Sequence, residues 1–585
     1  MKKFIKILLW SVFILIVLAG GLMAGFVYKV KNGFPVSYET GKPTINFPQN
    51  QPAVLVFSKT TGYRHGESID ASKPIFSDLA KKNQWFLYKT ESGSVFNSEP
   101  NRVRTIVTTD GEIDDVDSFI RMLLYANEFN IEGLIYSSSM WHYKGDGKGT
   151  KMVSEMEMTK KMYGEKTDLR WPGVHWMQDL IDAYAQVYPK LISHAAGFPT
   201  ADHLRSLIKV GNIDFEGEMS KNTEGSDFIK SKLLDDNMQP IYLQVWGGTN
   251  TIARALKSIE DDYCQMDASG NKTSKWQAIY KKVCDKTILY AILDQDATYR
   301  KYVSVNWKDI KVYYNSHQFA CLAYPWKKYV PAPMHPLLEG KFMGDNIINN
   351  HGALLKMYYS YGDGLKQVGD DEHIHGDITK LKNAQWGSFN QYDFISEGDS
   401  PAFLHLIDVG LGNLENPQYG GWGGRLSQSK TNPTRWEDGE DVADFNTFTQ
   451  KMDATFGQTR WLEVLQNDFA ARADWCIKDY KNANHPPKVS LKHAHILTAK
   501  PNSIVKLKGK ASDPDGDKLT YKWWQYEEVD SYNGKIALQN ATLPEATFKM
   551  PNDIKKGETV HIILEVTDSK MPQMTRYQRV MVKSE

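Results

Sequence analysis

Cysteine is scarce in this chain, with Cys264, Cys284, Cys321 and Cys476 the four among 585 residues, and none has the spacing of a zinc site. That argues against a cysteine-based metal centre. Net charge is also missing: 70 Lys and Arg balance 70 Asp and Glu. The chain as a whole therefore carries no electrostatic footprint for nucleic acid, and no nucleic-acid partner is expected. The glycine-rich stretch Gln418-Tyr419-Gly-Gly-Trp422-Gly-Gly-Arg425 lacks the lysine of a phosphate-binding loop. It reads as a sugar-contacting loop or a lid. No cysteine follows the N-terminal apolar run, so the usual lipoprotein anchor is absent.

That run, residues 7–28, is uncharged and follows Lys2, Lys3 and Lys6. It is long enough to span a bilayer, and the lysines hold its start in the cytoplasm. Residues 1–30 are thus a signal anchor or a cleaved signal peptide, with a stalk over 31–51. Either way the remainder is expected outside the cytoplasm, in the periplasm or cell envelope, membrane-associated through this segment if it is kept. In an oxidising compartment Cys264 and Cys284, which flank a polar insertion, could form a disulfide or stay as buried thiols. Aromatic residues are plentiful, with 16 Trp and 30 Tyr, enough to fill a large core or to build sugar-stacking surfaces.

The most informative stretch is Thr108-Thr-Asp-Gly-Glu-Ile-Asp-Asp115. It follows a β-branched run, 103–107, and precedes Phe119, Met122, Leu123 and Ala126 at helical spacing. The pattern predicts a buried strand, a tight acidic turn and a helix. Asp110, Glu112, Asp114 and Asp115 repel one another, which a hard cation such as calcium would relieve. Acids at a helix N-terminus that favour its dipole would give the same composition without a metal. Further on, strand-like runs (131–136, 241–245, 287–293) alternate with helical ones (177–187, 251–259), which predicts an α/β fold with a mostly parallel sheet. Ligands of such sheets bind at the carboxyl ends of strands. Asp110, Ser137–Ser139, Val245–Gly248 and Asp294–Asp296 all stand there.

Asp110-Gly-Glu-Ile-Asp114-Asp115 resembles the signature of calcium-dependent nucleoside hydrolases. Gln244-Val-Trp-Gly-Gly-Thr-Asn250 and Gly398-Asp399-Ser-Pro401 resemble two later motifs of that family in the same order. The fit is closer to a branch of bacterial cellulose-binding proteins with a nucleoside-hydrolase-like domain, over roughly residues 101–480. The resemblance implies calcium held by Asp110, Asp115, Asp399 and the Val245 carbonyl. It also implies Asp114 as the base that activates a calcium-bound water. Asn250, Trp141, His142, Asp294 and Asp296 are candidate contacts to a ribosyl or carbohydrate ligand. Four departures touch the chemistry, one being Ser400, which separates Asp399 from Pro401. Thr108 and Gly111-Glu112 stand where the family carries Asp and Pro-Gly, and Gly398 stands where it often has a histidine that assists the leaving group.

Upstream, residues 52–100 read as strand, helix, strand, and Ala53-Val-Leu-Val-Phe-Ser-Lys-Thr-Thr-Gly-Tyr-Arg64-His65-Gly resembles the opening of a trehalose-utilisation-type (ThuA-like), flavodoxin-like domain cut short after one βαβ unit. Arg64 and His65 lack the rest of any active site. Asp370-Asp-Glu-His-Ile-His375 reads as a solvated loop. Asn484-His-Pro-Pro487 marks a linker between a domain over 101–483 and a module over 484–585. Alternating runs at 488–491, 503–507, 519–524, 545–549, 559–568 and 577–583 predict an immunoglobulin-like β-sandwich. Its Asp513, Asp515 and Asp517 read as a plain turn or, alternatively, as a calcium site, and its stretch Ala511 to Tyr521 resembles cadherin- and PKD-like modules. Of the neighbours Trp523 and Trp524, one should face in and one out. Two functions fit this reading: a calcium-dependent hydrolase of N-glycosidic or related bonds, or a non-catalytic polysaccharide-binding protein on the same fold.

Overall fold

The computed structural model describes residues 53–57, 66–90, 102–369 and 375–585. The apolar run, the stalk, Arg64, His65 and residues 370–374 lie outside the described residues. No described helix is long and apolar enough to cross a membrane. The chain forms two units, Met1–Asn101 and Arg102–Glu585. In the first, strands Ala53–Phe57 and Phe86–Thr90 pair in parallel across helix Gly66–Asn83, the βαβ unit expected.

The second unit is built on an eight-stranded sheet. Its strands are β1 (Arg104–Thr109), β2 (Asn130–Tyr136), β3 (Ile208–Val210), β4 (Ile241–Val245), β5 (Thr287–Ile292), β6 (Lys311–Asn315), β7 (Ser427–Gln428) and β8 (Arg435–Glu437). They lie in the order β7-β8-β6-β5-β4-β1-β2-β3, all parallel except β7. Every residue of β1, β4 and β5 is buried. That is why these segments read as continuous apolar runs rather than alternating ones: helices cover both faces of a parallel sheet. The chain winds outward from β1 in one direction and from β4 in the other. The crevice past the ends of β1 and β4 is therefore the topological switch point, where such sheets bind ligands.

Helix α1 (Ile113–Leu124) leaves β1 through the acidic turn, α2 (Trp176–His194) packs on it, and α3 (Asn250–Tyr263) follows β4. The short α4 (Ser400–Leu404) and the long α5 (Leu462–Trp475) complete this face. Phe119, Ile120 and Leu123 of α1 join the larger of two cores flanking the sheet. All four cysteines are free thiols, so the possible Cys264–Cys284 disulfide is not formed. Cys284 turns into the second core, and burial pushes its thiol up to about 12.

Past residue 484 two sheets face each other. One is β9 (Lys488–Leu491), β11 (Ile504–Ser512) and β13 (Glu545–Lys549); the other is β10 (Ile496–Ala499), β15 (Thr575–Ser584), β14 (Thr559–Thr567) and β12 (Thr520–Gln525). Strand β10 has no counterpart among the predicted runs. Trp523 points into the sandwich core, while Trp524 packs on Trp461 of the α/β domain. The two domains share a polar core. Asp444 accepts hydrogen bonds from Arg425 (2.7 Å), Arg460 (2.8 Å) and the Tyr526 hydroxyl (2.7 Å), and Arg576 pairs with Asp468 at 2.8 Å. The glycine-rich loop is thus not a lid at Trp422 and Arg425, both of which are buried. The expected linker is fixed too: Asn484 Nδ2 donates to Asp568 (3.0 Å), and the His485 ring is 2.9 Å from Asp515.

Candidate metal centre

The acidic turn owes its shape to close packing. Gly111 has φ of +82°, and a Cβ there would lie 2.7 Å from both Pro172 Cγ and Trp176 Nε1. Only glycine takes this conformation in this space without strain. Gln367 Nε2 clamps the turn by donating to the Gly111 carbonyl at 2.5 Å. Across the switch point, Trp246 N donates to Thr108 O at 3.0 Å, and a Cβ on Gly247 would come within 2.8 Å of Asp110. The ends of β1 and β4 therefore touch, and Val245 closes β4 in register with Thr108.

Carboxylates converge on this crevice. One oxygen from each of Asp114, Asp115 and Asp399 lies within 4.8 Å of the others. Asp110, Asp115 and Asp399 are buried. Asp115 is anchored: it accepts from the Thr109 hydroxyl and from the Glu112 backbone N–H, the latter at 3.2 Å. Neither oxygen of Asp110 accepts a hydrogen bond, nor does Asp114 Oδ1. Asp399 stands at the N-cap of α4 without a side-chain capping bond, so its carboxylate is not spent on the helix. Burial drives Asp110, Asp114, Asp115 and Asp399 above the usual carboxylate range. For Asp114, Asp115 and Asp399 the neighbouring negative charges add to it. Buried oxygens without donors and mutually repelling charges fit a hard cation with oxygen ligands. Of the expected ligands, Asp115 and Asp399 converge with each other and with Asp114, the expected base, while Asp110 is buried in the same acidic turn outside that trio.

Residues beneath the cluster hold it in place. Glu397, two positions before Asp399, pairs with Arg121 Nε at 2.8 Å; both side chains are fully buried. Tyr358 and Ser400 hydroxyls donate to Glu397 at 2.5 and 2.7 Å. Asp117 accepts from Tyr359 N at 2.8 Å. Apart from Ser400, noted only as separating Asp399 from Pro401, none of these residues was singled out from the sequence. The signal was there: Asp114, Asp117, Ser118 and Arg121 recur at helical spacing inside an apolar helix, marking one polar stripe on a buried surface.

The other candidates sit elsewhere. Asn250 is interlocked with Ser137 and Ser138, just past the end of β2. Its Oδ1 accepts from Ser137 (2.8 Å), and its Nδ2 donates to Ser138 Oγ (2.9 Å) and the Asn212 carbonyl (3.0 Å). Asp296 accepts from Asn250 N and Thr298 N, each at 2.9 Å. Asp294 accepts from Tyr299 N at 3.2 Å and pairs with Arg300 at 3.1 Å. These three side chains build the crevice wall and are not part of the carboxylate cluster. Trp141 is half-buried. His142 is buried, with its Nδ1 2.6 Å from Arg170 O and its Nε2 4.0 Å from Glu112. That places His142 beside the acidic turn.

Comparison with known proteins agrees with this architecture. Residues 104–426 match the family described as "Cellulose-binding Sde182, nucleoside hydrolase-like domain", and residues 504–584 match "Cellulose-binding protein Sde0182, C-terminal domain". A nucleoside hydrolase-related hypothetical protein from Saccharophagus degradans, described as associated with carbohydrate metabolism, is 25% identical. The alignment covers 83% of this chain and 100% of that one, with a TM-score of 0.60. A plant nucleoside hydrolase is 10% identical, covering 57% of this chain and 86% of that one with a TM-score of 0.25. No curated protein matches. A nucleoside-hydrolase-like domain spanning more than half of the sequence, with its acidic turn at the switch point and a matching C-terminal domain behind it, places the chain in the cellulose-binding Sde182 family.

Proposed function

We propose that this protein is a polysaccharide-binding protein of the cell envelope whose nucleoside-hydrolase-like domain keeps a calcium centre without keeping glycosidase chemistry. The observation that carries this reading is the contrast between two adjoining positions. The carboxylates Asp110, Asp114, Asp115 and Asp399 are all retained: Asp110, Asp115 and Asp399 are buried, and the half-buried Asp114 converges with Asp115 and Asp399. Position 398, beside them, is a glycine whose Cβ would press within 2.6 Å of Asp114 Oδ2. No side chain stands there to protonate a departing group, and none fits without displacing Asp114. The family's description as cellulose-binding supports the ligand class, and the N-terminal apolar run supports export. Calcium, when bound, would neutralise the cluster and offer coordination positions to sugar hydroxyls. Asp110, Asp115 and Asp399 would hold it, with the Val245 carbonyl.

Hydrolysis is the second reading, favoured by Asp114 itself. Its carboxylate sits at the switch point with one oxygen free of donors, as a general base must. A single set of experiments separates the two. The purified protein is incubated with insoluble cellulose, cello-oligosaccharides and nucleosides, with calcium and with a chelator. Binding to cellulose or its oligomers with no released sugar or base supports the first reading. Calcium-dependent turnover of any of them refutes it in favour of the second.

A further inference from the structure

A second cleft lies where the sandwich meets the α/β domain. It encloses about 490 Å³ and shares no lining residue with the carboxylate cluster. That volume lies within the range of small-molecule sites, roughly 300–1,000 Å³. The loop 408–419 forms one wall and strand β15 the other. At Gly410 the loop meets the strand backbone: a Cβ there would lie 1.9 Å from Tyr577 O, and Tyr577 N donates to Val409 O at 2.9 Å. Two positions on the loop is again glycine. Gly412 has φ of +75°, and a Cβ on it would touch the Tyr419 ring at 3.4 Å. The half-buried Tyr419 ring meets the His561 ring (centroids 5.0 Å) and the Arg579 guanidinium (4.9 Å), and beside Gly412, which has no side chain, it lines the cleft.

Charge decides what this cleft can hold. Its two guanidinium groups are already committed. Arg576 pairs with Asp468 at 2.8 Å. Arg579 donates to the carbonyls of Leu411 (2.5 Å) and Tyr419 (2.6 Å), and its Nη1 lies 3.2 Å from His561 Nδ1. The carboxylates Asp408 and Glu415 at the rim are exposed and in no ion pair among the described residues. Anionic ligands are therefore disfavoured. Carboxylates accept hydrogen bonds from paired hydroxyls, and the half-buried Gln578 amide, whose Nε2 already donates to Val489 O at 3.3 Å, offers its oxygen as acceptor and its second N–H as donor. The Tyr419 ring and Ile496, 59% exposed at the rim, supply apolar surface for the C–H faces of sugar rings.

We infer that this seam cleft is a neutral-glycan subsite, in which Tyr419 packs on a sugar ring while Asp408, Glu415 and Gln578 bind its hydroxyls. The assignment rests on the carbohydrate-binding reading above and gives it a location. The test is calorimetric titration of the whole purified protein with cellohexaose, alongside Tyr419→Ala, Glu415→Ala and Glu415→Gln, each checked for native near-ultraviolet circular dichroism. Tyr419→Ala and Glu415→Ala are expected to weaken binding about tenfold each, the size of a lost anchor contact, with Glu415→Gln between them and the parent. Glu415 is exposed, so its variants test the cleft even if Tyr419→Ala fails to fold. Parent-like affinity, within about twofold, in Glu415→Ala and in any folded Tyr419→Ala overturns the cleft while leaving carbohydrate binding in place. Absence of any cellohexaose binding by the parent protein removes the underlying reading and the subsite with it. Tighter binding of a charged oligomer, carboxymethylated or amino-substituted, overturns the neutral assignment.

Discussion

Glu397→Gln tests whether the buried pair under the carboxylate cluster holds the fold as well as the site. In the parent, Glu397 meets Arg121 at 2.8 Å with neither side chain exposed, and it accepts from Tyr358 and Ser400. The amide keeps the shape but removes the charge, leaving the Arg121 guanidinium buried without a counter-charge. Breaking one partner of such a pair costs about 3–5 kcal/mol, whereas replacing both with apolar groups is often neutral. With a urea m-value of about 3 kcal/mol per molar, the midpoint should fall by about 1 M or more. The double variant Arg121→Met, Glu397→Leu should recover much of that loss. A second readout follows the turn to Asp399, since Ser400 bonds to Glu397: calcium affinity measured by calorimetry should drop in the single variant. A midpoint shift corresponding to less than about 1 kcal/mol in Glu397→Gln, or a double variant as damaged as the single, refutes the reasoning.

Asp399→Asn should weaken calcium uptake by removing a charged ligand, and a calorimetric titration showing no uptake even by the parent ectodomain would sink the metal centre. Asp114→Ala should leave cellulose retention intact; if the parent turns over any glycoside, the variant should lose about 10²–10⁴-fold in rate, the usual worth of a general base. In the sandwich, burial raises Asp530 to about 7 while it accepts from His561 N (2.6 Å) and Gln525 Nε2 (2.7 Å). A carboxyl whose folded pKa exceeds its unfolded one holds its proton more tightly in the native state. Stability from this group is therefore complete below about pH 4 and declines as pH rises towards 7. Thermal unfolding of Asp530→Asn should show a flatter slope across that window, and an unchanged slope would assign the loss to other groups.

Local chemistry was readable in the chain, and long-range pairing was not. The strand–turn–helix at Thr108 to Asp115 follows from β-branching, acidity and helical spacing, all properties of neighbours in sequence. The sandwich strands showed up through alternation, yet β10 escaped because Ile496 and its neighbours are mostly exposed or half-buried, so no apolar stripe marks them. The glycine-rich loop left two readings open, a sugar contact or a lid: glycines allow an open lid and a tightly packed crossing alike, and the burial of Trp422 and Arg425 speaks against the lid alone. Asn250 and Asp296 looked like ligand contacts because they stand past strand ends. There they satisfy backbone and serine groups that the sharp turns leave open. Glu397 and Arg121 are far apart in sequence, and nothing local announces that they meet.

The shared polar core at Asp444 has a consequence for the history of the molecule. A sandwich hung on a loose tether could be cut out and grafted onto another protein, carrying its solubility with it. This one could not. Separated from the α/β domain it would bare Trp524, Tyr526 and Tyr577, and strand Arg576 without Asp468. Its partner would in turn be left with Asp444 facing water. The two halves are a matched set, so recombination that moves one without the other yields an aggregating fragment, and their interface should change only by paired substitutions.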